Sequence, residues 1–177
     1  MAKNWKQKVI VLLDDITEQD CDAIVNAANE DLEPGSGVCG AIHAAAGPKL
    51  ERACRRIGGC AAGEAVMTKG YDLPARRVIH TVGPVYSGGN DGEEAEVLGS
   101  CYRESLRLAS EEGLRTIAFP AISTGNYGFP PDEAAKVAVQ ALREGLDEFP
   151  EIREVRLVCF TIENQEAIEE ALEQEPE

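Results

Sequence analysis

Apolar runs rich in Val and Ile alternate along the chain with longer segments in which apolar positions recur every three or four residues. That alternation predicts an α/β domain with a largely parallel sheet. Buried parallel strands read as continuous apolar runs, while the helices between them show one apolar face. Strands are expected near Lys8–Leu13, Ala23–Ala27, Ala65–Thr68, Arg77–Val82, Thr116–Ala121 and Glu154–Phe160. Helices are expected at Gly40–Ile57, broken or kinked at Gly47-Pro48, and at Glu93–Glu112, Pro131–Glu148 and Asn164–Gln174. Ala135, Val139, Leu142 and Leu146 mark one such apolar face. Gly113 and Pro150 fall where helices should stop. No internal repeat or low-complexity linker interrupts the pattern, so residues 1–177 read as one domain, with an acidic tail that frays over about 172–177.

Charge changes the picture of what such a domain would hold. Seventeen basic against 32 acidic residues give a net charge of −15, which argues against a protein that grips nucleic-acid backbones through a field of Lys and Arg. An anionic ligand would have to be held locally, by backbone N–H groups at helix N-termini and glycine turns. The six cysteines contain no C-x-x-C pair and there are two histidines, so no zinc ligand set is expected and most cysteines read as small buried apolar groups. The N-terminal apolar run, Val9 to Leu13, is too short for a signal-peptide core or a membrane span. A reducing cytoplasm is the expected location.

Ligands of open parallel sheets sit outside the carboxyl ends of the strands. Asp14-Asp15 follows the first predicted strand, Asn26 and Asn29 with a glycine turn follow the second, "STGNYGFP" follows "TIAFPAI", and Phe160 closes the last strand. A carboxylate, amides, two glycine-rich turns and an aromatic ring therefore converge on one rim of nucleotide size. Gly35, Gly37 and Gly40 spell G-x-G-x-x-G, the fingerprint of a dinucleotide-binding turn. The context speaks against that reading. "ANEDLEP" separates the glycines from the preceding strand, and no strand with a terminal acidic residue falls about 20 positions further on. No G-K-S/T phosphate loop and no G-x-S-x-G nucleophile elbow is present.

"DDIT", "IVNAAN", "GSGVCGAIHAAAG", "LPARRVIHTVGPVY" and "AFPAISTGNYGFP" resemble, in order and spacing, the motifs of the macrodomain family. The resemblance is closest to its bacterial and mitochondrial ADP-ribose hydrolases and O-acetyl-ADP-ribose deacetylases, and it runs from about Val9 to Asn164. It implies a three-layer α/β/α sandwich with a mixed, largely parallel sheet, and a cleft for ADP-ribose or O-acetyl-ADP-ribose that needs no metal or cofactor. It also implies mono-ADP-ribosylated proteins as possible partners, with hydrolysis of Asp/Glu-linked ADP-ribosyl esters as the alternative reaction. Carried over by position, Asp15 accepts the adenine amino group, the Ile16 N–H faces a ring nitrogen, and Phe160 stacks on the adenine. Asn29 bonds the distal ribose hydroxyls. The turn containing Gly37, Val38, Cys39 and Gly40, and the turn Ser123, Thr124, Gly125, Asn126, Tyr127 and Gly128, wrap the diphosphate and ribose with backbone N–H groups.

The chain departs from the family pattern at Asp14, where glycine is usual, and at Pro34 and Ser36, where a glycine run is usual; a stiffer or shifted turn is expected. Cys39 stands where hydrolytic members carry an aspartate. A neutral thiol is a weak donor and acceptor and does not replace a carboxylate as a general base, so binding without efficient hydrolysis is expected, with Asn29 and Cys39 as the catalytic candidates. Alternatively Cys39, at a helix N-terminus and four residues before His43, forms a nucleophilic dyad. His80 reads as a structural histidine at a strand end. Asn26 reads as either a turn-former or pocket architecture.

Overall fold

The computed structural model describes residues 4–89 and 92–177; the start of the basic N-terminal stretch, residues 1–3, lies outside them. Six strands, β1 (Val9–Leu13), β2 (Ala23–Ala27), β3 (Ala65–Lys69), β4 (Arg77–Thr81), β5 (Thr116–Phe119) and β6 (Glu154–Cys159), are interspersed with five helices, α1 (Gly37–Ala46), α2 (Pro48–Ile57), α3 (Glu93–Glu111), α4 (Pro131–Glu148) and α5 (Ile162–Gln174). The sheet order is β1-β6-β5-β2-β4-β3. Every neighbouring pair is parallel except β3 with β4.

The continuous apolar runs are explained by burial on both faces. In β2, Ala23 and Val25 point into a core shared with Ile79, Ile117, Phe119, Val155 and Leu157, covered by α3, α4 and α5. Ile24 points the other way, with Val78, Ala118 and Val158, against Ile42 of α1 and Leu50 and Cys54 of α2. The result is a three-layer α/β/α sandwich: the alternation of elements predicts its α/β character and the resemblance its three layers.

The structure corrects several predicted boundaries. Lys8 belongs to a 3-10 turn, Trp5–Lys8, capped by Asn4, whose Oδ1 accepts from the Lys6 N–H at 2.7 Å. The Lys8 ammonium is drawn to the Pro150 carbonyl at 3.0 Å. The helix expected from Gly40 starts at Gly37, so the glycine turn is itself a helix N-terminus. Gly47, at φ 87°, divides the expected Gly40–Ile57 helix into two, with Pro48 opening α2. The strands stop short of Val82, Pro120 and Phe160; Pro120 and Phe160 pass into the loops that follow, whereas Val82 stays buried in a bridge with Ala62. Glu94 of α3 is buried: its carboxylate accepts from the Ser87 and Gly89 N–H groups at 2.7 and 2.9 Å. All six cysteines are buried and free. Among the described residues no helix is long and apolar enough to cross a membrane.

Phe119 is fully buried in β5, its ring centroid 4.9 Å from that of Tyr102 on α3. Phe119→Ala is expected to cost about 3–5 kcal/mol, read as a lower urea midpoint at unchanged slope.

Candidate functional site

At the carboxyl ends of β2 and β5 lies a groove of about 460 Å³. Its floor is built from the buried Ala28, Cys39, Ile122 and Ser123. One wall is the start of α1, from Gly35 to Val38; the other is the turn after β5, with Gly125, Asn126 and Tyr127. Among the described residues no Lys, Arg, Asp or Glu lines it.

Local backbone chemistry sets both walls. The first-turn N–H groups of α1, those of Gly37, Val38 and Cys39, have no intrahelical acceptors and carry the positive end of the helix dipole. Ser36 occupies the N-cap position, yet its hydroxyl makes no capping hydrogen bond. Gly40 is required by packing, because a Cβ there would run into the carbonyl oxygen of Gly35. On the other wall, Ser123 holds φ 66°, a conformation that costs a non-glycine residue of order 1–3 kcal/mol. Its buried hydroxyl has no partner, and it packs so tightly on Gly83 that any side chain there would collide with it. Tyr127 is tied down from outside the groove, its carbonyl accepting from the Tyr86 N–H at 2.8 Å.

Glu33 organises the floor through its backbone. Its carbonyl accepts from Asn29 Nδ2 at 2.9 Å, and its N–H donates to Asn29 Oδ1 at 3.0 Å. The same carbonyl takes the Cys39 thiol proton at 3.5 Å. Beneath Cys39, Asn26 Nδ2 approaches the sulfur at 3.7 Å and donates to His80 Nδ1 at 3.1 Å. Since an amide nitrogen only donates, His80 carries its proton on Nε2, which faces Thr68 Oγ1 at 2.9 Å. Burial, with a smaller contribution from His43, lowers the His80 pKa to about 3. Asn26 is therefore no turn-former: it sits inside β2, fully buried beneath the groove. The nucleophilic dyad is not assembled. Both ring nitrogens of the buried His43 lack partners, and the ring packs 6.5 Å from that of His80.

The structure thus brings Asn29, Gly37, Val38, Cys39, Ser123, Gly125, Asn126 and Tyr127 to one groove. Gly40, Thr124 and Gly128 belong to the same two turns without lining it: Gly40 faces Gly35, Thr124 Oγ1 turns back to the Ala121 carbonyl at 2.8 Å, and the Gly128 N–H donates to the Gly125 carbonyl at 3.0 Å. Asp15, Ile16 and Phe160 lie apart, where β1 and β6 end side by side with the Asp14 N–H on the Cys159 carbonyl at 3.2 Å. There Asp15 caps the 3-10 turn Ile16–Glu18 and accepts from Thr17 N and Oγ1, both on Oδ1. The Ile16 side chain is buried, whereas Phe160 is 87% exposed. Sequence reasoning missed Ala27, Ala28, Gly83, Pro120, Ala121 and Ile122 as lining residues. They carry no reactive group, and their signal was only their place inside the quoted motifs.

A sequence model of the Macro domain family matches residues 25–138. The chain is 58% identical over 158 residues to a macro domain-containing protein of Chlorobaculum tepidum, covering 89% of this chain and 91% of that protein. It is 51% identical over 146 residues to the human ADP-ribose glycohydrolase MACROD2, covering 82% of this chain and 34% of that larger protein. Among solved structures, an Oceanobacillus iheyensis macrodomain with ADPR superposes at TM-score 0.91 with 39% identity, over 98% of this chain and 96% of that one. A Trypanosoma brucei macrodomain in complex with ADP-ribose superposes at 0.87 with 40% identity, over 93% of this chain and 69% of that one.

His80 gives the site a measurable pH signature. The native imidazole stays neutral down to about pH 3, while in the unfolded chain it takes up a proton below its ordinary value of 6.5. In that window the unfolded state binds more protons, so stability falls as pH falls, by up to about 1.4 kcal/mol per pH unit; His43, also lowered by burial, acts in the same direction. Urea titrations between about pH 5 and 6.5, above the ordinary carboxylate range, are expected to show this slope. His80→Gln should flatten it.

Proposed function

The chain belongs to the Macro domain family, and on that premise we propose that it binds ADP-ribose or O-acetyl-ADP-ribose across the carboxyl-end rim, with ester hydrolysis weakened by Cys39. The observation that carries the reading is the absence of charged side chains from a groove walled by the first turn of α1 and by a second glycine-rich turn. A diphosphate there is neutralised by peptide N–H groups, which suits a chain of net charge −15. The adenine lies over the exposed ring of Phe160, with its amino group on Asp15, whose Oδ1 is occupied by Thr17 and whose other carboxylate oxygen takes the amino group. Asn29 keeps one N–H and one lone pair beyond its two bonds to Glu33, and these take the distal ribose hydroxyls. Macrodomains solved with ADP or ADP-ribose bound support the choice of ligand. We place the protein in a reducing cytoplasm, with mono-ADP-ribosylated proteins as its larger partners.

Catalysis is the step that Cys39 limits. Its proton goes to the Glu33 carbonyl and its sulfur meets only the Asn26 amide, so nothing at this point of the floor is arranged to take a proton from water. A positioned general base is typically worth about 10²–10⁴ in rate. A second reading rests on the identity with an ADP-ribose glycohydrolase: turnover persists because the substrate's own phosphate activates a water held by Asn29.

Calorimetry with ADP-ribose, run beside deacetylation of O-acetyl-ADP-ribose, tests both. Tight binding with slow turnover, and a rise of about 10²–10⁴ in Cys39→Asp, supports the first reading; equal turnover in the two proteins supports the second. Absence of heat with ADP-ribose at millimolar concentration overturns both. Phe160→Ala is expected to weaken ADP-ribose binding about five- to a hundredfold, the usual worth of one base stacked on an aromatic ring, without changing the urea midpoint.

A further inference from the structure

The two walls of the groove are joined. Asn126 Nδ2, on the turn after β5, donates to Ser36 Oγ, at the N-cap of α1, at 2.9 Å. The residues are 90 positions apart, and both line the groove. Both are exposed, whereas the floor residues between the walls, Ala28, Cys39, Ile122 and Ser123, are buried. The hydrogen bond therefore spans the outer rim and roofs the channel.

Two further observations make this contact more than a chance meeting of polar side chains. A serine at an N-cap ordinarily accepts from a first-turn N–H, yet Ser36 makes no such bond. Its lone pairs are committed across the groove, and the N–H groups of Gly37 to Cys39 are left without side-chain competition. The opposing turn is anchored on its far side by the bond from Tyr86 N–H to the Tyr127 carbonyl at 2.8 Å, so Asn126 reaches across from a fixed base. Ser36 is also one of the places where the chain departs from the glycine run of the resembling motif, and a glycine there has no oxygen to offer.

We propose that the Ser36–Asn126 hydrogen bond is a strap across the diphosphate channel, which must open to admit or release the ligand and closes again over the bound diphosphate. This rests on the ADP-ribose reading above. The strap slows dissociation and leaves the floor untouched. It also couples the two turns in the ligand-free protein, since neither end is free to move while the other is held.

The test uses Ser36→Ala, which loses no cap, Asn126→Ala and the double variant. With ADP-ribose over the immobilised protein, surface plasmon resonance is expected to show each single change raising the dissociation rate about two- to tenfold, the usual net worth of one hydrogen bond. The double change should exceed the larger single effect by nothing, because one shared bond is lost either way. Unchanged rates, or effects that multiply in the double variant, overturn the strap. A second arm needs no ligand: hydrogen exchange on the free protein should show Asn126→Ala speeding exchange at Gly40, whose N–H donates to the Ser36 carbonyl, and Ser36→Ala speeding it at Thr124 and Gly128, whose N–H groups are bonded within their own turn. Changes confined to the mutated turn overturn the proposal. If the unmodified protein binds no ADP-ribose, the functional reading fails by itself, and the exchange experiment alone decides the strap.

Discussion

The hydrogen bond between Asn26 and His80 is the constraint on which the groove depends. The two residues are partners in the parallel register of β2 and β4, at the centre of a sheet buried on both faces. Two polar side chains in that place must satisfy each other, because leaving either alone costs about 1–3 kcal/mol. The pairing fixes a neutral imidazole with its proton toward Thr68, and so turns the Asn26 amide nitrogen toward Cys39. The floor of the groove thus inherits its orientation from the interior of the sheet. Asn26 Oδ1 and both nitrogens of His43, whose ring lies 6.5 Å from that of His80, remain unmatched.

From that floor the walls follow by backbone geometry. Because α1 begins at Gly37 directly beside the end of β2, its unpaired N–H groups face the groove instead of solvent. Because Ser123 adopts φ 66°, the chain after β5 turns back over the sheet at Gly125 and Tyr127. Neither wall contributes a charged group. In a protein of net charge −15, a lysine or arginine would be the obvious device for an anion, and its absence throws the whole task onto peptide dipoles, which act only at short range and only when two walls approach closely. The close approach of backbones is what requires glycine at 40, where a Cβ would run into the Gly35 carbonyl oxygen.

Much of this was legible in the sequence. Inside β2, β4, β5 and β6, between their end residues, the apolar runs are interrupted only by Asn26, His80 and Arg156, so their burial and their parallel arrangement could be read directly. The rim also could be read, since Asn29, the glycine turn, "STGNYGFP" and Phe160 each follow an apolar run. Three features were not. Glycine and serine are poor helix formers, which puts the predicted start of α1 at Gly40; the structure makes Ser36 the N-cap and Gly37 the first helical residue. Asn26 was ambiguous because a lone asparagine favours turns as strongly as it serves buried networks, and only the register with His80 decides. The bond between Ser36 and Asn126 joins residues from opposite halves of the fold, and no local pattern encodes such a pair.

Cys39 shows why a motif and its chemistry must be read apart. The thiol fits the space its neighbours leave, accepting from Asn26 and donating to Glu33, and it disturbs neither the helix start nor the groove. A carboxylate in the same place would be poorly matched to the Glu33 carbonyl, since two acceptors repel, and would draw instead on the Asn26 amide or an N–H of its own helix turn. The difference between thiol and carboxylate is therefore one of hydrogen-bond polarity as much as of acidity. With cysteine, Glu33's carbonyl has two donors, Asn29 and Cys39, and the Asn29 amide is held by the loop it belongs to. With aspartate, that loop would lose one of its two anchors and Asn29 would be freer to turn toward a ribose. On the proposed reading, the geometry of binding and the capacity for hydrolysis both turn on the same backbone carbonyl, through which of its neighbours donate to it.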